Sequence, residues 1–333
     1  MSFYQVEKVS ILIVSREDVL NLAQTFNSVL HQTYKNVEIF LIVNTITEEL
    51  SQFIEAYRDR IKLVIQQKGV SKGKILNNTL KLTEGKYFSI LAAGDIWHPG
   101  VLEEKVKFLE RNMTAFGVCC DFDIVDKNGL VNSSFFQMND FFRGGKNQEA
   151  FVIEQGQRYL IMSRFKLFST MLIRNQSYSF YGPFPEQAHG YEDIELLFNM
   201  AKHAQVGCIN RVLVSRFFDA YKVSYYISRS VENRIASFEH LLNSLEDNEK
   251  KNEDCLKGQI ENSYLFWAKY LIKNKEKYKA RKVALDYLNK YRVVPQLLMI
   301  ALMSWVPVIG NQDDKYDFFQ MEKVKKDLLK LYY

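Results

Sequence analysis

Apolar and polar positions follow two periods along the first part of the chain. Val9 to Ser15 is an almost unbroken apolar run, as expected of a strand buried on both faces. Val19, Leu22, Phe26, Val29 and Leu30 then recur at helical spacing, with Asp18 placed to cap that helix. Val37 to Asn44 predicts a second strand, Thr47 to Arg60 a second helix and Lys62 to Gln66 a third strand. Ser71 to Thr83 predicts a third helix and Tyr87 to Leu91 a fourth strand. Strands alternating with helices in this order predict a right-handed, doubly wound, mainly parallel α/β sheet.

From Val118 the pattern changes. Cys119 to Val125 reads as a strand, Asp126-Lys127-Asn128-Gly129 as a turn before a short strand, and Phe168 to Arg174 as a further strand. Tyr191 to Ala204 reads as a helix with Ile194, Leu197 and Met200 facing inward. Beyond about Ser224 the strand signals fade. Val231 to Leu245, Cys255 to Ile272 and Glu276 to Tyr291 are amphipathic helices, and Asp314 to Tyr333 is a basic one. The expected organisation is an α/β domain over residues 1–225 and an all-helical domain over 226–333. Val293 to Ile309, the most apolar window, holds Gln296 and Ser304 and is broken by Pro307, so it falls short of a membrane span. A buried helix is expected there. Shallow membrane attachment, helped by Lys323, Lys325, Lys326 and Lys330, is the alternative.

Composition narrows the classes. At 47% hydrophobic and 25% charged residues the chain is globular, with no case for long disorder. A net charge of +5 is mild for this size: it permits attraction to diphosphates or an anionic membrane face but does not indicate a nucleic-acid binder, where a clustered basic stripe would be wanted. Cys119, Cys120, Cys208 and Cys255 form no Cys-x-x-Cys pair, so free thiols of a reducing compartment are expected rather than a zinc site. The first residues lack the layout of a signal peptide, and a cytoplasmic location is expected.

The chemistry concentrates in residues 85–99. The Tyr87 to Leu91 strand runs into a small-residue turn ending on Asp95, followed by Trp97, His98 and Pro99. In open α/β sheets ligands bind beyond the carboxyl ends of the strands, so Asp95 is placed to hold a metal or a sugar hydroxyl. His98 and His189 lack metal-ligand spacing and read as polar cleft or loop residues.

This stretch resembles the strand-end signature of family 2 glycosyltransferases, Leu-Asp-x-Asp-Asp-x-Trp, with Ala92 and Gly94 in place of the first two acids. Other matches follow in family order. Val9-Ser10-Ile11-Leu12-Ile13 precedes Ser28-Val29-Leu30-His31-Gln32-Thr33-Tyr34 and Val37-Glu38-Ile39. Asn77, Gly85-Lys86-Tyr87, Asp121-Phe122-Asp123, Gly129 and Gly182-x-Phe184 come next, and Glu192-Asp193-x-Glu195-Leu196 resembles the family's Glu-Asp motif. The helical tail lies outside the family's common core. A narrower likeness is to streptococcal enzymes that glycosylate serine-rich adhesins.

The resemblance implies a GT-A fold that binds a nucleotide sugar and transfers one hexose or N-acetylhexosamine, with inversion, to a glycan or glycoprotein acceptor. The Gln/Arg-x-x-Arg-Trp motif of processive synthases is absent. It implies Asp193 as the base, at a helix start where the dipole favours ionisation, and Glu192 beside it to orient the acceptor or brace a loop. Donor contacts fall on Ser15, Asn44, Thr45, Asn77 and Asp95. Where the family has Val-Asp-Asp-Gly-Ser this chain has Val43-Asn44-Thr45-Ile46-Thr47, which can hydrogen-bond a nucleotide without charge. A UDP-sugar is the expected donor. A divalent metal, Mn or Mg, would rest on Asp95 alone; otherwise Arg216 or Lys222, with Arg16 and Lys74 also near strand ends, would neutralise the diphosphate. The helical domain would serve acceptor binding, homo-oligomerisation or peripheral membrane contact. The competing expectation is a catalytically silent relative that binds glycan or a partner transferase.

Overall fold

The computed structural model describes residues 7–15, 19–126, 129–132, 134, 136, 148–153, 156–163, 168–187, 192–217 and 220–303. Arg16, Asp18, Lys127, Asn128, His189, Tyr191, Asp219 and the expected basic helix from Asp314 onward lie outside them. The chain divides into two compact units, residues 1–219 and 220–333.

The first unit is a sheet of ten strands among the described residues: β1 Val9–Ser15, β2 Val37–Val43, β3 Lys62–Ile65, β4 Tyr87–Ala92, β5 Ile96–Trp97, β6 Ala115–Asp126, β7 Gly129–Asn132, β8 Ala150–Ile153, β9 Met171–Arg174 and β10 Gln205–Phe217. Their order is β3-β2-β1-β4-β9-β6-β10-β5, with β7 paired to β6 and β8 to β10. The half built from β3, β2, β1 and β4 is parallel, as the sequence predicts. The other half is mixed. β9 runs antiparallel to both β4 and β6, and β10 pairs parallel with β6 but antiparallel with β5 and β8. The expected strand from Phe168 begins instead as a short 3₁₀ turn, Phe168–Thr170, and enters the sheet only at Met171. Ser169 leaves the ladder because its polar groups are used by the Asp95 turn.

The helices of this unit are α1 Val19–Leu30, α2 Glu48–Ala56, α3 Lys72–Leu80, α4 Val101–Arg111, α5 Gly156–Ser163, α6 Asn175–Tyr181 and α7 Glu192–His203. Capping fixes two starts: the hydroxyls of Thr47 and Ser71 accept from the amides of Leu50 at 3.2 Å and Lys74 at 3.3 Å. α2 is shorter than predicted and stops at Ala56, after which the Tyr57 ring packs on Phe26 with centroids 4.8 Å apart. Core residues come from both periods read in the sequence: Ile11, Leu12, Ile13, Ile39, Phe40 and Leu41 from the strands, Leu22, Phe26 and Val29 from α1. Burying these apolar faces is the main driving force of the fold.

The second unit is helical: α8 Ala220–Asn243, α9 Glu253–Lys273, α10 Lys277–Lys290 and α11 Pro295–Met303. α8 runs unbroken through the domain boundary expected at residue 225. Buried Arg234 on α8 donates to Gln259 of α9 at 3.1 Å, and Tyr264 of α9 meets Tyr287 of α10 with centroids 5.3 Å apart. Among the described residues no helix is long and apolar enough to cross a membrane. Of the buried helix expected at Val293 to Ile309, residues 304–309 lie outside the described residues, and the described part is buried on one face only. Val294, Leu297, Ile300 and Ala301 are covered, whereas Leu298, Met299, Leu302 and Met303 are exposed.

Candidate active site

The strand pairings give β3, β2, β1, β4, β6 and β10 one common direction, so their carboxyl ends share one edge of the sheet. Ser15 ends β1, buried and in register with Val43 of β2. Asn44 and Thr45 follow directly beyond Val43 and are exposed. Polar side chains are therefore gathered where β1 and β2 end.

Beside it lies the turn from Ala92 to His98, held by side chains of and just beyond α1. Thr25 Oγ1 accepts from the Gly94 amide at 2.8 Å and Ser28 Oγ from the Trp97 amide at 3.1 Å. Gln32 Nε2 donates to the carbonyls of His98 at 2.9 Å and Ser28 at 3.0 Å. Two motifs far apart in sequence are thus one device: the end of α1 satisfies the backbone of the strand-end turn. Gly94 sits at φ +107°, and a Cβ there would stand 3.4 Å from Cβ of Phe217. An acid at that position would need a left-handed backbone, which side chains other than Gly resist.

Asp95 is buried at 4% exposure. One carboxylate oxygen accepts from the Ser169 hydroxyl, which in turn accepts from the Ala92 amide at 3.3 Å. The Ser169 carbonyl accepts from Trp97 Nε1 at 2.8 Å, so the 3₁₀ turn clamps both ends of the Asp95 segment. The other carboxylate oxygen lies 3.5 Å from Nε of Arg216, itself only 8% exposed. Register explains this meeting. β5 and β10 pair Ile96 with Ser215, so the flanking residues Asp95 and Arg216 come opposite each other. The Arg216 guanidinium also lies over the Phe122 ring, 5.3 Å from its centroid. His98 Nε2 is 2.8 Å from Ser215 Oγ.

Glu192, Asp193 and Glu195 occupy the first turn of α7 and are all buried. Asn77 lies within α3 and is buried at 4% exposure. Its Nδ2 donates to the Phe184 carbonyl at 3.0 Å, and its Oδ1 accepts from the Phe184 amide at 2.8 Å and from Tyr178 Oη at 2.7 Å. With these three bonds Asn77 clasps the segment leading to α7. Lys74, on the same helix, stands 3.9 Å from Glu186 in an exposed pair. Lys222 belongs to α8 of the helical unit, and its side chain lies outside the described residues. Sequence reading missed Ser169, Thr25 and the hydrogen-bonding work of Gln32. Thr25 and Gln32 stand on or beside a quoted motif, but Ser169 carries no local signal because its partner is distant in sequence.

A parallel half-sheet with its polar and acidic residues gathered at the carboxyl edge, extended by mixed strands, is the frame of a GT-A transferase. Residues 10–172 match Glycosyl transferase family 2, and the chain carries a domain of that family. An uncharacterized glycosyltransferase of Rickettsia prowazekii is 25% identical over 218 residues, 62% of this chain and 62% of that protein. The match thus spans less than two thirds of that relative's length. Among solved structures, S. aureus TarS (1-349) superposes with a TM-score of 0.57 at 15% identity, over 90% of this chain and 89% of that one. The mannosyltransferase PcManGT of Pyrobaculum calidifontis gives 0.59 at 13% identity, over 98% and 86%. At such identities the likeness shows the shared fold.

Proposed function

We propose that this chain is an inverting glycosyltransferase that moves one hexose or N-acetylhexosamine from a nucleotide sugar to a glycan or glycoprotein acceptor. The observation that carries the reading is the buried Asp95, held by Ser169 and facing Arg216, at the strand edge that also bears Ser15, Asn44 and Thr45. TarS, of the same fold, has been solved with UDP and with UDP-GlcNAc, which supports a UDP-sugar as donor.

In this reading Ser15, Asn44 and Thr45 bind the nucleoside. Asp193 takes the proton of the acceptor hydroxyl as its oxygen bonds to the anomeric carbon. The bond from that carbon to the diphosphate breaks on the opposite face, and the nucleoside diphosphate leaves with the electron pair. Arg216 stabilises its growing charge. Glu192 orients the acceptor. PcManGT was solved with GDP-Man and Mn2+. Such an ion would rest here on the single carboxylate of Asp95 among donor oxygens, adding positive charge at the leaving group.

A second reading, a catalytically silent relative, draws on Ala92 and Gly94 at the family's acidic positions and on the engagement of Asp95 by Arg216. One experiment separates the two. The full chain is heated with UDP, GDP or dTDP, with and without manganese, and then assayed for transfer alongside Asp193→Asn. Protection by a nucleotide is expected from mass action. Asp193→Asn should keep that protection and lose roughly 100- to 10,000-fold in transfer. Protection without transfer in the parent chain would favour the silent relative, and no protection by any nucleotide would remove the donor site.

A further inference from the structure

The net charge of the protein is confined to one helical hairpin. Residues 1–276 hold 33 Lys or Arg against 33 Asp or Glu, and residues 304–333 hold five of each. The whole net charge of +5 therefore lies in residues 277–303, where Lys277, Lys279, Arg281, Lys282, Lys290 and Arg292 face the single acid Asp286. These residues form α10, α11 and their link, and the two helices pack on each other.

The same hairpin exposes an apolar surface. α11 is uncharged along its length and turns Leu297, Ile300 and Ala301 inward, and Val294 just before it is buried as well. On its outer side Leu298 is 41% exposed, Met299 54%, Leu302 61% and Met303 61%, with Val293 just before the helix at 69%. Exposed apolar side chains gathered in this way mark an interaction surface. Three occupants can be weighed on chemistry. A second copy would set one cationic hairpin against another. A soluble polyanion would satisfy the charges but leave the apolar side chains in water. An anionic lipid surface answers both, since the acyl boundary accepts Leu and Met while the headgroups attract Lys and Arg. α11 is too short to span a bilayer, so it would lie along the interface.

We propose that the α10–α11 hairpin seats this protein on anionic membrane surfaces, with Leu298, Met299, Leu302 and Met303 entering the headgroup boundary and the lysines of α10 selecting negative lipids. Some of these cations have partners within the fold. Lys279 pairs with Glu276, Lys290 stands 3.1 Å from Asp286, and Arg292 stands 2.7 Å from Glu261. These are exposed pairs, which a field of anionic headgroups can redirect at small cost. The proposal is independent of the transferase reading, because it concerns binding to lipid alone.

The test is co-sedimentation of the full chain with vesicles of phosphatidylcholine, with and without phosphatidylglycerol. The parent chain should pellet with the phosphatidylglycerol vesicles and be released by salt. Met299→Glu/Leu302→Glu should lose more than tenfold in binding. Lys279→Ala/Lys282→Ala should lose about fivefold for each cation removed. All four side chains lie on exposed positions, so circular dichroism and melting should match the parent and confirm folding. Failure of the parent to pellet with either vesicle would overturn the proposal. So would equal pelleting of the Met299→Glu/Leu302→Glu variant, or a parent dimer that this variant dissolves in the absence of any lipid binding.

Discussion

The carboxamide of Asn77 grips both backbone groups of Phe184, donating to its carbonyl at 3.0 Å and accepting from its amide at 2.8 Å. It acts as a strand neighbour would for a segment that has none. Close by, a Cβ on Gly73 would stand 2.2 Å from the Pro185 carbonyl oxygen, so only glycine lets the segment lie this near α3. The segment leads to the acids of α7, and its placement passes through these contacts.

Asn77→Ala should therefore destabilise the fold by roughly 1–3 kcal/mol for each Phe184 group left without a partner. Asn77→Asp keeps the acceptor but sets a carboxylate against the Phe184 carbonyl, and it should also lose stability. Urea unfolding measures both. A stability change below about 0.5 kcal/mol in the alanine variant would show that water replaces the clasp.

Asp95 and Arg216 should be energetically coupled. Removing one member of a buried pair leaves the other uncompensated, at about 3–5 kcal/mol. Asp95→Asn and Arg216→Gln should each destabilise, and the double variant should cost less than the sum. Chemical unfolding of the four proteins gives the coupling. In chelator, Asp95→Asn should tighten nucleoside diphosphate binding by releasing Arg216, and Arg216→Gln should weaken it. Additive stabilities would mean that the 3.5 Å contact carries no energy.

Glu38 lies on β2 and ties the amino-terminal edge of the sheet. Its carboxylate accepts from Ser10 Oγ at 2.6 Å, Lys62 Nζ at 2.7 Å and the Glu84 amide at 2.7 Å. Burial pushes its pKa up, but the Lys62 ammonium and the Ser10 and Glu84 donors outweigh that and hold it below the usual carboxylate range. A depressed acid adds stability that is present above its unfolded pKa, about 4.3, and is lost as pH falls through the folded value. Glu38→Gln should lower stability at neutral pH by about 1–3 kcal/mol and flatten the acid limb below pH about 4. Unfolding midpoints across acid pH test this. An acid limb as steep as the parent's would place the titrating groups elsewhere.

Lys105 makes the opposite case. It is fully buried, with Nζ 5.4 Å from the centroid of the Trp97 ring. Burial pushes its pKa down, and the neighbouring Cys120 and Cys119 thiols only partly oppose this. The unfolded chain then binds one more proton between the two pKa values. Stability rises with pH across that window, by up to about 1.4 kcal/mol per pH unit, and falls as pH drops. Lys105→Met should remove this slope and raise the melting temperature at neutral pH. An unchanged slope below pH about 10.4, the unfolded value, would show that Lys105 is charged in the folded protein.

Much of this protein was determined by its sequence alone. The parallel half of the sheet was legible because strands buried on both faces need unbroken apolar runs, and α1 because one helical face must be apolar. The helical character of the second unit was legible for the same reason. What only the tertiary structure decided are relations between distant segments. Asn77 belongs to a motif shared with donor-binding enzymes, but its role depends on Phe184, which no local pattern brings to it. Ser169 reads as a strand residue until the Asp95 turn claims its hydroxyl and carbonyl. Arg216 was one of several cations read near strand ends, and the register of β5 on β10 set it opposite Asp95. Periodicity records which face of an element meets the core. It carries no record of which polar group will be opposite, because that depends on strand register and chain crossing fixed only when the whole sheet closes.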